Sequence, residues 1–105
     1  MDRGEVWWAD LDPPAGRRPV LIVTRSAAVA ARDQVTVAVI TRTARNLRSE
    51  VPLTRIGDGM PKDCVVNCDV LQTIRKIRLT GHITTLSPAR MAEVHAALKF
   101  ALDLP

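Results

Sequence analysis

The sequence predicts a mainly β domain with α structure: a small, strongly curved antiparallel sheet or barrel with a C-terminal helix packed on it. Two observations predict this class. Short apolar and β-branched runs recur up to Leu86, and turn-forming residues separate them. From Ser87 onward, apolar side chains recur at helical spacing instead. A chain of 105 residues is long enough for one domain with one core of modest size, so residues 1–105 are predicted to form a single domain.

The first half of the chain contains three predicted strands, at residues 4–11, 20–24 and 35–40. Residues 12–16, with two prolines and a glycine, form a turn after the first strand. The second and third runs are almost entirely apolar and β-branched, which is typical of buried strands. Between them, the alanine-rich and polar residues 25–34 are predicted to connect the two strands.

The second half of the chain contains shorter predicted strands and loops. Residues 41–48 are basic and should be exposed, residues 50–53 alternate as a short strand, and residues 55–62 form a loop with Gly57, Gly59 and Pro61. Residues 65–74 are predicted to form a longer and bent strand. One more short strand is predicted at residues 83–86.

The C-terminal segment has the clearest signature. Ser87 is a good N-cap, and Pro88 suits the first helical position. The apolar positions that follow are Met91, Val94, Leu98, Ala101 and Leu102. This spacing predicts an amphipathic helix.

Positive charge is unevenly distributed along the chain. The net charge is +4, yet the stretch 17–48 carries seven arginines against the single acid Asp33, whereas the first twelve residues hold four acids. A polyanion-binding face would need such segregation, because neutralised phosphates release counterions. The alternative is an arginine-rich surface that is merely solvated.

Composition also bounds the function. The only aromatic residues are Trp7, Trp8 and Phe100, so a multi-base stacking platform is excluded. The apolar runs are far shorter than the roughly 18 residues of a membrane span. The N-terminus carries acids where a signal peptide would begin its apolar stretch. We therefore expect a cytoplasmic protein that does not engage a membrane.

Cys64 and Cys68 are the only cysteines. Positions i and i+4 of one strand lie about 13 Å apart, too far for a disulfide, so both thiols should be reduced. No second pair of Cys or His at ligand spacing is present, which leaves a zinc site without enough ligands. No metal and no cofactor are expected.

Arg18-Pro19 is the most informative dipeptide of the chain, because it places a permanent cation at the mouth of a buried strand. A guanidinium presents five donors in a planar fork that matches phosphate oxygens. On residue chemistry alone, an arginine that binds a phosphodiester and a surface arginine that merely precedes a proline remain equally open.

Two other residue pairs invite functional interpretations. Trp7 and Trp8 are neighbours on a predicted strand, so one should enter the core and the other should face outward, to cover an interface or to stack on a base. His82 and His95 could act as acid and base in a ribonuclease. His95 falls in the terminal helix and His82 just after Gly81, and we reject this role for them.

The chain resembles the MazF/PemK-like toxins of type II toxin–antitoxin systems in four blocks that keep the family's order and spacing: GEVWWADL (4–11), RRPVLIV (17–23), VAVIT (37–41) and RL (78–79). The resemblance covers nearly the whole chain. It implies an SH3-like barrel, a homodimer, and metal-independent, sequence-specific cleavage of single-stranded RNA. It further implies an acidic antitoxin, MazE-like, that covers the RNA groove with a flexible segment, and promoter DNA bound only by the toxin–antitoxin complex.

The resemblance also implies roles for individual residues. The family's catalytic arginine falls on Arg18 and its catalytic threonine on Thr41, and the RNA's own 2′-hydroxyl would attack the adjacent phosphorus. Four further residues are candidates for substrate binding: Arg17, Arg42, Asp69 and Gln72. For Thr41, Asp69 and Gln72 the alternative is an ordinary strand role. No general base is assigned, because arginine's very high pKa makes it a poor proton acceptor.

Two departures from the family bear on specificity. The loop at residues 12–17 is short, and residues 69–73 read DVLQT where relatives often have a Gln-Ile-Arg run. The RNA sequence that other family members cleave therefore cannot be transferred to this chain.

Two alternative functions belong to other classes, namely a non-catalytic nucleic-acid-binding module and a gyrase poison that shares the same barrel. The C-terminus Leu102-Asp103-Leu104-Pro105 lacks the Trp-Gly-Ile ending on which the gyrase poisons depend.

Overall fold

A computed structural model describes all 105 residues. It contains one six-stranded antiparallel sheet in the order β4-β5-β3-β2-β1-β6, curled into a half-barrel, with three α-helices and a short 3₁₀-helix at Lys76–Arg78. The mainly β class and the C-terminal helix predicted from the sequence are confirmed. The elements are β1 (Glu5–Asp10), β2 (Arg17–Ile22), α1 (Ser26–Ala31), β3 (Gln34–Thr41), β4 (Glu50–Leu53), α2 (Arg55–Asp58), β5 (Cys64–Arg75), β6 (Leu79–Thr85) and α3 (Pro88–Ala101).

The centre of the sheet is buried on both faces. One core cluster includes Leu21, Ala38 and Ile40 together with Val94 and Ala97 of α3. A second cluster, on the alternate positions of the same strands, includes the valines of β3 at 35, 37 and 39 and Val29 of α1. Because both faces are covered, β2 and β3 need apolar residues at successive positions, which accounts for the near-continuous runs in the sequence.

The long strand β5 is bent, as predicted. Its register with β3 jumps from Asn67↔Val39 to Leu71↔Ala38, so Cys68, Asp69 and Val70 form a bulge. The residues before the bulge pair with both β4 and the end of β3, whereas those after it pair with the start of β3. Such a bulge bends the strand and increases its twist, which helps the sheet to curl.

The signals at the start of α3 are confirmed. The Ser87 side chain accepts a hydrogen bond from the Arg90 backbone amide (3.1 Å), and Pro88 occupies the first turn. The Ser87 oxygen thereby satisfies one of the backbone donors that a helix start leaves unpaired. No helix is both long and apolar enough to traverse a bilayer.

Two predicted connections contain helices instead. Residues 25–34 include α1, a six-residue helix that is too short to be stable by itself. Val29 anchors it in the core, and the Lys76 ammonium donates to the carbonyl oxygens of Val29 (2.6 Å) and Arg32 (2.9 Å) at its C-terminal end. These partners lie far along the chain, so no local pattern could reveal the helix. Residues 55–62 include the single turn α2.

Two strand boundaries were predicted wrongly. β2 begins at Arg17 rather than at residue 20 and ends at Ile22, because its pairing with β1 extends to Asp10↔Arg17. β6 spans Leu79–Thr85 rather than 83–86, since Leu79 and Gly81 at its start pair with Ala9 and Trp8 of β1. In both cases, backbone pairing continues through residues that lack an apolar pattern.

The doubly buried centre of the sheet generates a stability prediction. Leu21 is fully buried in β2, so Leu21→Ala should lower the free energy of unfolding by about 2–5 kcal/mol through lost burial and a residual cavity. Ile77→Ala, at a side chain that is 80 % exposed, should change it by less than about 0.5 kcal/mol. Urea unfolding followed by circular dichroism measures both. Equal effects of the two changes would contradict this account of the core.

Candidate active site

A cavity of about 320 Å³ lies where β2 begins and β3 ends. The turn before β2 and the segment between α2 and β5 complete its walls. Twelve residues line it: Trp8, Ala15, Arg17, Arg18, Pro19, Ile40, Thr41, Arg42, Met60, Pro61, Lys62 and Cys64. Four of the six site residues predicted from the sequence are among them, namely Arg17, Arg18, Thr41 and Arg42.

Arg18 and Thr41 line the same cavity from neighbouring strands. The pairing of β2 with β3 runs from Ile22↔Val37 to Val20↔Val39. Arg18, near the start of β2, and Thr41, at the end of β3, both lie just beyond the last of these pairs. The two side chains can therefore reach one bound group, although 23 positions separate them in the sequence.

The Arg18 side chain is held at its base and free at its tip. Its Nε donates a hydrogen bond to the Ala15 carbonyl (3.0 Å), in the turn between β1 and β2. The two terminal nitrogens, Nη1 and Nη2, retain their donors for a ligand. This one contact orients the guanidinium and explains how a short turn beside Arg18 contributes to the site.

Trp8 and Arg17 form a stacked pair at the rim. The Arg17 guanidinium carbon lies 4.2 Å from the centroid of the Trp8 ring, which is cation–π geometry. Trp8 is half-buried and lines the cavity, so it is the outward-facing tryptophan of the predicted pair. Trp7 packs against the second core cluster, and its indole nitrogen donates to Glu5 (2.9 Å).

The cavity is strongly electropositive. Arg17, Arg18, Arg42 and Lys62 line it, and none of the twelve lining residues is Asp or Glu. Sequence reasoning missed Lys62, because the loop at residues 55–62 shows no motif and only the tertiary fold carries it to Arg18. Four cations without a carboxylate among them produce a potential that attracts polyanions such as phosphodiesters.

The wall that carries Lys62 is anchored through Asp58. The Asp58 side chain is 5 % exposed and accepts hydrogen bonds from Arg90 Nε (3.0 Å) and Nη2 (3.1 Å) of α3. Burial raises the pKa of this carboxyl, but the hydrogen bonds from Arg90 and from the Thr54 backbone amide, with the charge of Arg90, outweigh burial and lower the pKa overall. The carboxylate therefore stays ionised and joins α2 to α3.

Cys64 contributes a neutral thiol to the cavity wall. It begins β5, next to the Val65 that pairs with Thr41, and it is 8 % exposed. Burial raises the pKa of the Cys64 thiol to about 11, with a further contribution from the carboxylate of Asp63. Burial likewise raises the pKa of Cys68 to about 11. Neither thiol supplies a thiolate nucleophile near neutral pH.

Asp69 and Gln72 lie outside the cavity. Asp69 belongs to the β5 bulge, and its carboxylate accepts a hydrogen bond from the buried Ser49 hydroxyl. Gln72 is exposed on β5 opposite Val37. The fold of a single chain does not bring either residue to Arg18, and their role in substrate binding stays a prediction.

The two histidines also lie away from the cavity. His82 stacks edge-on against Trp7, with ring centroids 5.7 Å apart, and His95 lines a separate, larger cleft beside α3. No three His, Cys, Asp or Glu side chains are grouped so that they could hold a metal ion. The ionisable groups available at the cavity are thus arginine, lysine and a cysteine thiol.

Comparison with known proteins defines the class. The sequence profile of the PemK-like, MazF-like toxins of type II toxin–antitoxin systems matches residues 2–102. The chain therefore belongs to this toxin family, as the four sequence blocks predict. The Arg18 and Thr41 cavity lies within the matched region.

Individual relatives agree with this assignment. The chain is 42 % identical over 99 residues to a protein named probable endoribonuclease MazF2 of Mycobacterium tuberculosis, covering 94 % of this chain and 95 % of the relative. The structure of M. tuberculosis toxin MazF-mt6 superposes with a TM-score of 0.87 at 36 % identity, covering 96 % and 98 % of the two chains. A mycobacterial endoribonuclease solved in complex with its cognate antitoxin gives a TM-score of 0.88 at 30 % identity, covering 100 % and 97 %.

The Asp58–Arg90 anchor generates a pH prediction. Because the folded-state pKa of Asp58 lies below its unfolded value of about 3.9, its stabilisation is complete above that value and is lost as the pH falls through the folded-state pKa. Asp58→Asn should therefore be less stable than the wild type at neutral pH, and its stability should decline less steeply below about pH 4. Urea unfolding from pH 3 to pH 7 measures this, with the exposed Asp12→Asn as control. Parallel pH profiles for the wild type and Asp58→Asn would contradict the prediction.

Proposed function

We propose that this protein is the toxin of a type II toxin–antitoxin system and acts as a sequence-specific, metal-independent endoribonuclease on single-stranded RNA. The observation that carries the proposal is the electropositive cavity that Arg18 and Thr41 both line, at the start of β2 and the end of β3. Family membership and the endoribonuclease names of the mycobacterial relatives support it.

The proposed reaction is an internal transesterification. The RNA 2′-oxygen bonds to the adjacent phosphorus and loses its proton, the bond from phosphorus to the 5′-oxygen breaks, and that oxygen takes up a proton. The products are a 2′,3′-cyclic phosphate and a 5′-hydroxyl end. The free Nη donors of Arg18 stabilise the charge that develops on the phosphorane oxygens, and the Thr41 hydroxyl adds a hydrogen bond.

Proton movement does not rely on a carboxylate or an imidazole of the cavity, because none lines it. The Cys64 thiol, with a pKa of about 11, is not a base near neutral pH. In this proposal the residues of the site act mainly by positioning and by charge stabilisation, and the proton of the 2′-hydroxyl leaves to a group outside the lining residues, such as solvent.

A pair of alanine variants tests the site. Arg18→Ala and Thr41→Ala should each lower the cleavage rate of a long single-stranded RNA by about 10²–10³, because each removes a preorganised donor. Arg75→Ala, at an exposed arginine of β5 outside the cavity, is the matched control and should cleave normally. Gel assays in EDTA with mapped RNA ends provide the measurement.

Each other result has a defined meaning. Cleavage that EDTA abolishes would refute metal independence, and full activity in Arg18→Ala would remove the central residue. Tight RNA binding without cleavage by the wild type would favour a non-catalytic nucleic-acid-binding module instead.

The proposed partners follow from the same surface. A relative has been solved in complex with its cognate antitoxin, and we propose that an acidic, flexible antitoxin segment likewise covers the cationic cavity of this chain in a homodimeric toxin. Adding the cognate antitoxin should abolish RNA cleavage, and the affinity should fall as salt rises because the contacts are ionic. Titration calorimetry at two salt concentrations, with sedimentation to count toxin copies, tests this. An affinity unaffected by salt would refute the ionic contact with the antitoxin, and a monomeric toxin would refute the homodimer.

A further inference from the structure

We propose that Lys62 is an additional substrate-binding residue, whose ammonium contacts a phosphate of the RNA held beside Arg18, and that the Asp58–Arg90 pair positions the segment that carries it. This inference rests on the proposed function. It concerns a residue that no sequence motif marks and that the fold alone brings into the cavity.

Lys62 is a cation without a protein partner. The ion pairs of the structure do not include it, and its ammonium donates no hydrogen bond. Lys76, by contrast, donates to the carbonyl oxygens of Val29 and Arg32 at the C-terminal end of α1. An ammonium that lines a cavity beside three arginines raises the like-charge repulsion there, and a bound phosphate would relieve it.

The backbone around Lys62 is fixed on both sides. Met60, two residues before it, is 3 % exposed within the first core cluster, and the ring of Pro61 restricts the intervening backbone. On the other side, Asp63 accepts a hydrogen bond from the Arg55 amide (2.8 Å), and Cys64 enters β5. The flexible Lys62 side chain therefore starts from a defined point on the cavity wall.

Asp58 connects this wall to α3. Besides its paired contact with Arg90, its backbone carbonyl accepts a hydrogen bond from the Thr84 hydroxyl of β6 (2.9 Å). Gly59 then adopts a φ of 73°, which favours glycine, and turns the chain toward the buried Met60. Loss of the Asp58 charge would release the start of the segment that ends in Lys62.

The chemistry of lysine predicts which substitutions matter. An ammonium binds a phosphate as a point charge on a flexible stem, so Lys62→Arg should retain most of the contact, whereas Lys62→Met keeps the apolar stem and removes the charge. One lost contact should lower the magnitude of the salt slope, d log K against d log of salt concentration, by about 0.7 for single-stranded RNA.

The test measures binding separately from cleavage. A single-stranded RNA with a 2′-deoxy sugar at the mapped cleavage site binds without being cut. For this RNA, Lys62→Met should weaken binding about 5- to 10-fold, while Lys62→Arg stays close to the wild type. Lys99→Met, at an exposed lysine that lines the separate cleft beside α3, is the matched control. On cleavable RNA, Lys62→Met should raise KM more than it lowers kcat.

A double-mutant cycle tests the positioning role. If Asp58 acts by placing Lys62, then Lys62→Met should weaken RNA binding much less in an Asp58→Asn background than in the wild type. Glu93→Gln, which removes the other carboxylate bound to Arg90, is the control background and should leave the Lys62→Met effect intact. Circular dichroism and the unfolding midpoint establish that each variant is folded at the assay temperature.

The outcomes separate the two proposals. Unchanged affinity and salt slope in Lys62→Met, with normal cleavage by the wild type, would overturn the role of Lys62 and leave the endoribonuclease intact. Equal effects of Lys62→Met in the wild-type and Asp58→Asn backgrounds would overturn the positioning role. A wild-type protein that neither binds nor cuts RNA would overturn the proposed function, and the role of Lys62 with it.

Discussion

The rest of the structure depends on the antiparallel pairing of β2 with both of its neighbours. This strand lies at the centre of the sheet, so its apolar residues contact both core clusters, and its register with β1 and β3 is defined over successive pairs. A slip of one residue would turn every core side chain to the wrong face. The same register fixes the first residues of β2, where apolar burial ends and Arg17 and Arg18 begin. The cavity is thus a consequence of how the core is packed.

A second constraint comes from the segment between β4 and β5. It buries Met60 in the core, joins α3 through the Asp58–Arg90 pair and forms the wall that faces the start of β2. The Asp58 side chain is almost fully covered whereas Arg90 stays partly exposed, so removal of Arg90 would leave a covered carboxylate without its charge partner. The paired hydrogen bonds and the Thr54 amide compensate for the desolvation of Asp58. The helix that covers the half-barrel and the wall of the candidate site are therefore mechanically linked.

Under the proposed function, the site works with few specialised groups. Its lining residues supply hydrogen-bond donors and positive charge, and the reacting nucleophile belongs to the RNA. This division of labour is consistent with a cavity that contains neither a carboxylate nor an imidazole. It also explains why histidine and cysteine, the residues that most readily suggest catalysis in a sequence, lie elsewhere or stay neutral: His82 packs on Trp7, and the thiol of Cys64 has a pKa of about 11.

The sequence alone determined the mainly β class, the doubly buried strands, the capped terminal helix and the toxin family, because apolar periodicity, capping and motif order are local properties of the chain. It also singled out Arg18 and Thr41 through the family's blocks. Only the tertiary structure decided that α1 exists, that β2 starts at Arg17, that Lys62 lines the cavity, and that Asp69 and Gln72 lie outside it in a single chain. Each of these depends on contacts between residues far apart in sequence, such as Lys76 with α1 and Arg90 with Asp58. Such contacts arise from strand pairing and helix packing, which leave no periodic signal in the residues that they bring together.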